Sequence, residues 1–418
     1  MAELGYDVVG VEVDAAKLAS LSEGKVPFYE PGLPELLGKH VSAGNLRFTA
    51  DLAEAAAFAD VHFLCVGTPQ RADSIGADLT YVEAAIESLA PHLTRPCLVV
   101  GKSTVPVGTA VRLAERLAEL APVGSGAQLA WNPEFLREGF AVEDTLRPDR
   151  IVFGVAAEGP VHILREVYAD ALAAGTPEVV TDLTTAELVK VAANAFLATK
   201  ISFINAMAEI CEVVGADVVQ LADAIGHDTR IGRQFLNAGI GFGGGCLPKD
   251  IRAFQHRAAE LGVEDATAFL RDIDAINLRR RSRVVQLAEE AAQDGTALRI
   301  AVLGAAFKPQ SDDTRDSPAL WIACELHAKG HDVTVHDPEA VPRASERFPQ
   351  LAYTEDLDEV LRDADVVLHL TEWPVYRTID PERARQLVSR PYLIDGRNKI
   401  DLESWRRSGW TVRSLGRP

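Results

Sequence analysis

Short apolar runs, each closed by small polar residues, recur along the first third of the chain. Val8 to Asp14 ends in acid, Ala59 to Gly67 ends in Thr68-Pro69, and Cys97 to Lys102 ends in Ser103-Thr104-Val105-Pro106. Gln128 to Trp131 runs into Asn132-Pro133-Glu134. Near-continuous apolar runs of this length are the pattern of strands covered on both faces. Between them, Leu79 to Leu93 and Thr109 to Leu120 carry apolar residues at helical spacing. Alternation of this kind predicts a parallel sheet with helices on both sides. Met1 to Asp7 reads as the last turn of a helix closed by Gly5.

The same rhythm restarts at Leu298. Arg299 to Gly304 predicts a strand, Ala319 to Lys329 a helix, and Pro391 to Asn398 a further strand with a polar end. Asp332 to Asp337 echoes Val8 to Asp14, and Asp363 to Pro374 echoes Ala59 to Pro69. The middle of the chain is helical instead, over Thr184 to Val214 and Ala266 to Asp294. Thr184 and Glu187 have capping-box spacing. Phe196, Ile201, Phe203, Ile204 and Ile210 suggest a spine that also meets a second copy, whereas Arg279-Arg-Arg281 reads as a solvated face. The fold class expected is α/β: two Rossmann-like, doubly wound parallel-sheet domains, 1–182 and 295–418, joined by a central long-helix domain, 183–294.

Composition narrows the function. A net charge of −19 argues against a general binder of nucleic acid or anionic membranes. No apolar run of membrane-spanning length stands out, and no leader is visible. The five cysteines have no paired spacing, which suits free thiols in a reducing cytoplasm. Cys65, Cys97, Cys211 and Cys324 read as small packing residues.

Cys246 differs, because Gly239, Gly241, Gly243, Gly244 and Gly245 crowd in just before it and Lys249 and Asp250 follow. A glycine loop bends sharply and can bring backbone N–H groups to a ligand. A nearby lysine favours the reactive thiolate, and an aspartate can orient or exchange protons. On the long helix, Lys190 and Asn194 share an otherwise apolar face, so both need partners. Glu134 and Glu138 would share a face if their segment were helical. Glu12, at the end of the first apolar run, stands where a dinucleotide-binding unit places its ribose-binding acid. The strand and G-x-G-x-x-G turn that precede that position in such a unit are missing. Either the chain lacks its phosphate loop or its reading frame starts too late. A sheet without a central strand would leave apolar faces uncovered, which favours the second expectation.

Together these motifs resemble the UDP-glucose 6-dehydrogenase family of nucleotide-sugar dehydrogenases, from residue 1 to about 410. The likeness rests on Tyr29-Glu-Pro-Gly-Leu33, Gly67-Thr-Pro69, Lys102-Ser-Thr-Val-Pro106, Asn132-Pro-Glu-Phe-Leu136 and Ala192-Ala-Asn-Ala-Phe196. It continues in Asp228-x-Arg-Ile-Gly232, Gly241-Phe-Gly-Gly-x-Cys-x-x-Lys-Asp250, Phe307-Lys308, Asp313-Thr-Arg315 and Asp395-Gly-Arg397. The resemblance implies NAD as cofactor, UDP-glucose as substrate, and a homodimer or larger homo-oligomer in the cytoplasm. It implies Cys246 as nucleophile, Lys190 with Asn194 at the oxyanion, and Asp250, Glu134 and Thr104 around water and C6. Cofactor contacts fall on Glu12, Lys17, Thr68, Thr104, Glu138, Lys249 and Arg315. Substrate contacts fall on Glu134, Phe135, Leu136, Glu138, Lys190, Asn194, Arg230, Asn237, Gly239, Gly241, Phe242, Gly243, Phe307, Lys308 and Arg397. Arg230 would serve the neighbouring subunit's site. The rival expectations are a dehydrogenase of GDP-mannose or UDP-N-acetylmannosamine, and a non-catalytic nucleotide-sugar-binding dimer.

Overall fold

A computed structural model describes residues 1–292 and 296–418. The expected domain boundary at 294/295 lies outside them. The chain forms two compact units: residues 1–193 with 252–263, and residues 194–251 with 264–418.

In the first unit, Gly5 closes a short N-terminal turn at φ +87°, its N–H returning to the Ala2 carbonyl. The elements that follow are β1 (Val8–Val11), α1 (Ala15–Ser22), α2 (Leu33–Ala43), β2 (Leu46–Thr49), α3 (Leu52–Phe58), β3 (Val61–Leu64), α4 (Thr80–Leu89) and β4 (Cys97–Gly101). Then come α5 (Thr109–Leu120), β5 (Ala127–Trp131), α6 (Ala141–Leu146), β6 (Ile151–Val155), α7 (Gly159–Val167), α8 (Ala169–Ala173) and β7 (Glu178–Thr181). The strands make two sheets, β2–β1 and β3–β4–β5–β6–β7. One pairing departs from the expected parallel order: β5 and β6 are antiparallel. Leu98, Val99 and Val100 of β4 are fully buried. Helices α4 and α5 pack on one face, where Ile86, Leu113 and Leu117 meet Val99 and Leu129.

The second unit holds α9 from Asn194 on, α10 (Val218–Gly226), α11 as far as Ile251, α12 (Phe269–Ala291) and a sheet; α9 in full is Leu183–Val214 and α11 is Leu247–Glu260. The sheet joins β8 (Arg299–Leu303), β9 (Asp332–His336), β10 (Ala352–Thr354), β11 (Val366–His369), β12 (Tyr392–Asp395) and β13 (Thr411–Ser414), with α13 (Pro318–Ala328) after β8. Their order is β10–β9–β8–β11–β12–β13, with every pairing parallel. This is the doubly wound arrangement the alternation predicts.

Helix α9 corrects one expectation, since by length and composition it could cross a membrane. Its polar residues are nevertheless committed to protein partners. Ser202 donates to the Ile273 carbonyl at 2.8 Å, and Asn205 accepts from the Gly239 N–H at 2.8 Å. Such bonds make it a packing helix, because a buried polar group without a partner is costly. The arginine run is corrected too. Only Arg279 is exposed; Arg280 and Arg281 are buried, paired with Glu212 and Asp316 at 2.9 and 2.8 Å. Of the four cysteines expected to be packing residues, Cys97 and Cys211 are buried, Cys324 is half-buried and Cys65 is exposed.

Candidate active site

The glycine loop is pinned, which excludes a flexible linker. The Phe242 N–H donates to Asn277 Oδ1 at 2.7 Å, Asn277 Nδ2 returns a bond to the Phe242 carbonyl, and the Gly244 N–H donates to the Arg315 carbonyl. The loop needs glycine for close packing. A Cβ on Gly243 would lie 2.2 Å from the Asp316 carbonyl oxygen, and one on Gly245 2.4 Å from the Arg315 guanidinium. Gly241 and Gly244 also adopt φ +89° and +82°, open to glycine at no steric cost. The buried Gly239, Gly241, Phe242 and Gly243 therefore shape the loop from inside. At least the N–H groups of Gly239, Phe242 and Gly244 serve protein acceptors.

This loop delivers Cys246, which is exposed, to the first turn of α11. The Asp250 N–H donates to the Cys246 carbonyl at 2.9 Å, so the cysteine stands at the helix's N-cap position. The N-terminal end of a helix favours negative charge near it. Asp250, buried one turn further on, accepts from Asn194 Nδ2 at 2.6 Å and from Lys249 Nζ at 2.5 Å. Asn194 and Lys249 thus fix the orientation of the carboxylate beside the thiol's helix turn.

The other predicted residues of this unit divide into three groups. Arg397 lies between loops: Nε donates to the Leu370 carbonyl at 2.7 Å, Nη1 to Gly241 at 3.2 Å and Nη2 to Phe307 at 3.1 Å. Those bonds make it a staple for the glycine loop. Lys308 lies over the Phe307 ring, and Arg315 pairs with Asp313 at 2.8 Å. Arg230 and Asn237 are exposed; Arg230 pairs with Asp228 at 2.6 Å, and Asn237 accepts from Arg233 at 3.1 Å.

In the first unit, Lys190 on α9 is buried and donates to Glu134 Oε1 at 3.0 Å. Its ammonium also lies 5.5 Å from the centre of the Phe135 ring, and Arg150 covers that ring at 3.7 Å. The face shared by Lys190 and Asn194 is thus satisfied as expected, by Glu134 for one and Asp250 for the other. The segment carrying Glu134 and Glu138 is not helical, so their shared face is not formed. Glu134 Oε2 instead accepts from the Leu136 N–H at 2.6 Å, and Leu136 itself is exposed. The Thr68 hydroxyl donates to the Thr104 carbonyl at 2.7 Å, joining the loops after β3 and β4. Glu12 is half-buried just beyond the end of β1, with Lys17 on the helix that follows.

Glu30 and Glu187 act as long-range helix caps. Glu30 accepts from the Gly139 and Ala141 N–H groups at 2.7 and 2.8 Å, at the start of α6. Glu187 accepts from Gly108 and Ala110, both at 2.6 Å, at the start of α5. The expected capping box therefore does not form as read: Asp182 caps α9 through the Thr185 N–H at 2.8 Å, and Glu187 is free to reach the other helix. A carboxyl set against backbone N–H groups this far along the chain leaves no local spacing signal.

Burial pushes the Glu187 carboxyl up to about 7 from 4.5, against the pull of those N–H donors and Arg257. Its stabilising contribution is full below about pH 4.5 and is lost as pH rises through about 7. At about 1.4 kcal/mol per pH unit the change is roughly 3 kcal/mol. Glu187→Gln should flatten the fall in thermal stability between pH 5 and 8. It should also lower stability at pH 7 by about 1–2 kcal/mol, because its amide NH₂ cannot accept from the second backbone N–H. A melting-temperature series across that range checks both, and an unchanged slope would refute the assignment.

Glu12 after β1, Thr68 and Thr104 after the parallel strands β3 and β4, a second, all-parallel doubly wound sheet and a cysteine at a helix start are the make-up of a nucleotide-dependent dehydrogenase. The NAD-binding, central and UDP-binding domain models of the UDP-glucose/GDP-mannose dehydrogenase family match residues 1–172, 184–279 and 301–402. The chain belongs to that family. It is 41% identical over its full length to UDP-glucose 6-dehydrogenase TuaD of Bacillus subtilis (strain 168), spanning 89% of that protein. A UDP-glucose dehydrogenase structure from Pyrobaculum islandicum aligns over the whole chain and 94% of its own, with a TM-score of 0.91 and 38% identity. A UDP-D-ManNAc dehydrogenase structure from Pyrococcus horikoshii aligns over the whole chain and 95% of its own, at 0.85 and 28%.

The family's cofactor is NAD, and the residues present fit it in part. Glu12 offers a carboxylate for ribose hydroxyls, and Thr68 and Thr104 stand at strand ends where the nicotinamide half would lie. The diphosphate is less well served. Among the described residues, no glycine-rich turn opens a helix beside β1 and β3 to present N–H groups to it.

Proposed function

We propose that this chain oxidises the C6 hydroxyl of UDP-glucose to the carboxylate of UDP-glucuronate. The observation that carries the reading is Cys246, exposed at the head of α11, with Asp250 held one turn behind it by Asn194 and Lys249. NAD, when bound, supplies the hydride acceptor for two oxidations. The alcohol first becomes an aldehyde. Cys246 Sγ adds to the aldehyde carbon and its oxygen takes a proton, giving a thiohemiacetal. Loss of a second hydride and that proton leaves a thioester. Water then cleaves the C–S bond, releasing the acid and restoring the thiol. Covalent capture divides a four-electron oxidation and retains the aldehyde.

In this reading Lys190 and Asn194 stabilise the developing oxyanion, and Glu134, Asp250 and Thr104 serve water and C6. Glu12, Lys17, Thr68, Glu138, Lys249 and Arg315 face the cofactor. The substrate is held by Phe135, Leu136, Asn237, the loop from Gly239 to Gly243, Phe307, Lys308 and Arg397, with Arg230 of a second copy. The divisions 1–182, 183–294 and 295–418 are read as the cofactor, helical and nucleotide-sugar modules. Identity to the UDP-glucose enzymes, 41% and 38%, exceeds the 28% to the ManNAc enzyme and favours UDP-glucose. A substrate panel with NAD tests the choice: fastest acid formation from UDP-glucose is expected, and a preference for GDP-mannose or UDP-N-acetylmannosamine would reject it.

The assembly proposed is a homodimer in the cytoplasm. Phe196, Phe203 and Ile210 recur every seven residues on α9 and are 66%, 47% and 54% exposed. Such a stripe is a helix-packing seam left uncovered. Phe203→Asp should convert the dimer to a monomer in sedimentation and reduce acid formation with it. A variant that stays dimeric would move the contact elsewhere.

A further inference from the structure

Gly243, Gly244 and Gly245 separate Phe242 from Cys246. Such a run has no side chains to fix its course, so the thiol's place depends on what grips the main chain around it. Helix α12 supplies the grip on the near side. Asn277 and Arg281 stand one turn apart on that helix and are 0% and 2% exposed. Asn277 exchanges two bonds with the Phe242 backbone. Arg281 Nη2 donates to the same Phe242 carbonyl at 3.2 Å, and its Nη1 donates to Asp316 Oδ1 at 2.8 Å.

Asp316 belongs to the turn that backs the glycines. The Arg315 carbonyl accepts from the Gly244 N–H at 2.9 Å, and the Asp316 carbonyl oxygen would lie 2.2 Å from a Cβ on Gly243. One guanidinium therefore joins the residue that enters the glycine run to the turn packed against its middle.

Stability alone does not account for this pair. Among the described residues, Arg281 Nε and Asp316 Oδ2 are buried without a hydrogen-bond partner. Asp316 also adopts φ +44°, a left-handed conformation that strains a residue with a side chain. A buried ion pair with orphaned atoms returns no more stability than a well-packed apolar pair. What an apolar pair cannot supply is the fork, two bonds at a fixed angle from one planar group.

We propose that Arg281 is a positioning residue for Cys246. By bridging the Phe242 carbonyl and the Asp316 carboxylate, its guanidinium sets where the glycine run delivers the sulfur to the head of α11. That the sulfur then captures a C6 aldehyde rests on the dehydrogenase reading; the seating of the thiol does not.

Arg281→Lys keeps the charge and loses the fork, because one ammonium cannot hold both acceptors at the guanidinium's spacing. Once the loop is released, the thiol leaves the N-terminal end of α11, where its thiolate is favoured. Alkylation of Cys246 by iodoacetamide at pH 7, read by peptide mapping of the intact chain, should slow at least fivefold, with Cys65 unchanged as the control. An unchanged or faster rate at Cys246 overturns the proposal. Asp316→Asn, at a side chain 31% exposed, is the gentler variant and should slow the same alkylation at least twofold. It decides the matter where Arg281→Lys fails to fold, and an unchanged rate there also overturns the proposal.

Catalysis gives a second readout. A misplaced thiol lets the aldehyde leave before capture. The ratio of released aldehyde, trapped with hydroxylamine as its oxime, to UDP-glucuronate should rise at least tenfold in Arg281→Lys. That ratio belongs to each turnover, so a smaller amount of folded protein does not move it, and a normal ratio overturns the proposal. If the unaltered chain forms neither product from UDP-glucose, the dehydrogenase reading fails and the alkylation rates alone decide the role of Arg281.

Discussion

Replacing Cys246 with alanine should abolish formation of UDP-glucuronate while UDP-glucose still binds. In the proposed reaction the sulfur forms and breaks a bond with C6, and no other thiol is close to its helix turn in sequence. Loss of a covalent nucleophile costs roughly 10³-fold or more. The substitution should do little to the fold. Cys246 is exposed, and the loop before it is held by Asn277, Arg315 and Arg397. Calorimetric binding of UDP-glucose alongside an acid-formation assay checks both halves. Carboxylate production at the normal rate by Cys246→Ala would refute covalent catalysis.

Lys190→Met should lower kcat by about 10²–10³-fold, the magnitude of losing one oxyanion donor, with a much smaller change in KM. Methionine keeps most of the stem's volume and removes the charge. The ammonium is buried and has Glu134 at 3.0 Å, so it is already positioned and partly desolvated before substrate arrives. Glu134 is 28% exposed in its side chain and can be rehydrated, so the stability lost with the pair should stay near 1 kcal/mol rather than the 3–5 of a fully buried pair. A fall in kcat with a melting temperature lowered by no more than about 2–4 °C separates the electrostatic role from a structural one. A purely structural lysine would show the reverse.

Much of the site was legible because its residues are clustered along the chain. The run from Gly239 to Asp250 places five glycines, a thiol, an ammonium and a carboxylate within one loop and one helical turn. The pairing needs of Lys190 and Asn194 followed from the apolar face they share. What the loop glycines do was not legible. Their contacts with Phe307, Arg315 and Asp316 come from residues 63 to 73 positions away, and only the fold brings those groups against them. Likewise, Glu187 has the spacing of a local cap but bonds to N–H groups nearly eighty residues earlier. Arg280 and Arg281 look solvated in a charged run, yet the fold supplies carboxylates that bury them.

The chain's own order of apolar and polar residues determined the two doubly wound sheets, the long helices and the glycine loop before the cysteine. Those features depend on interactions within a few residues, on periodicity and on backbone freedom at glycine. Tertiary structure alone decided which carboxylate meets which cation and which glycines touch a neighbour. Each of these depends on where distant segments come to rest, which burial and main-chain pairing settle only when the whole unit is assembled.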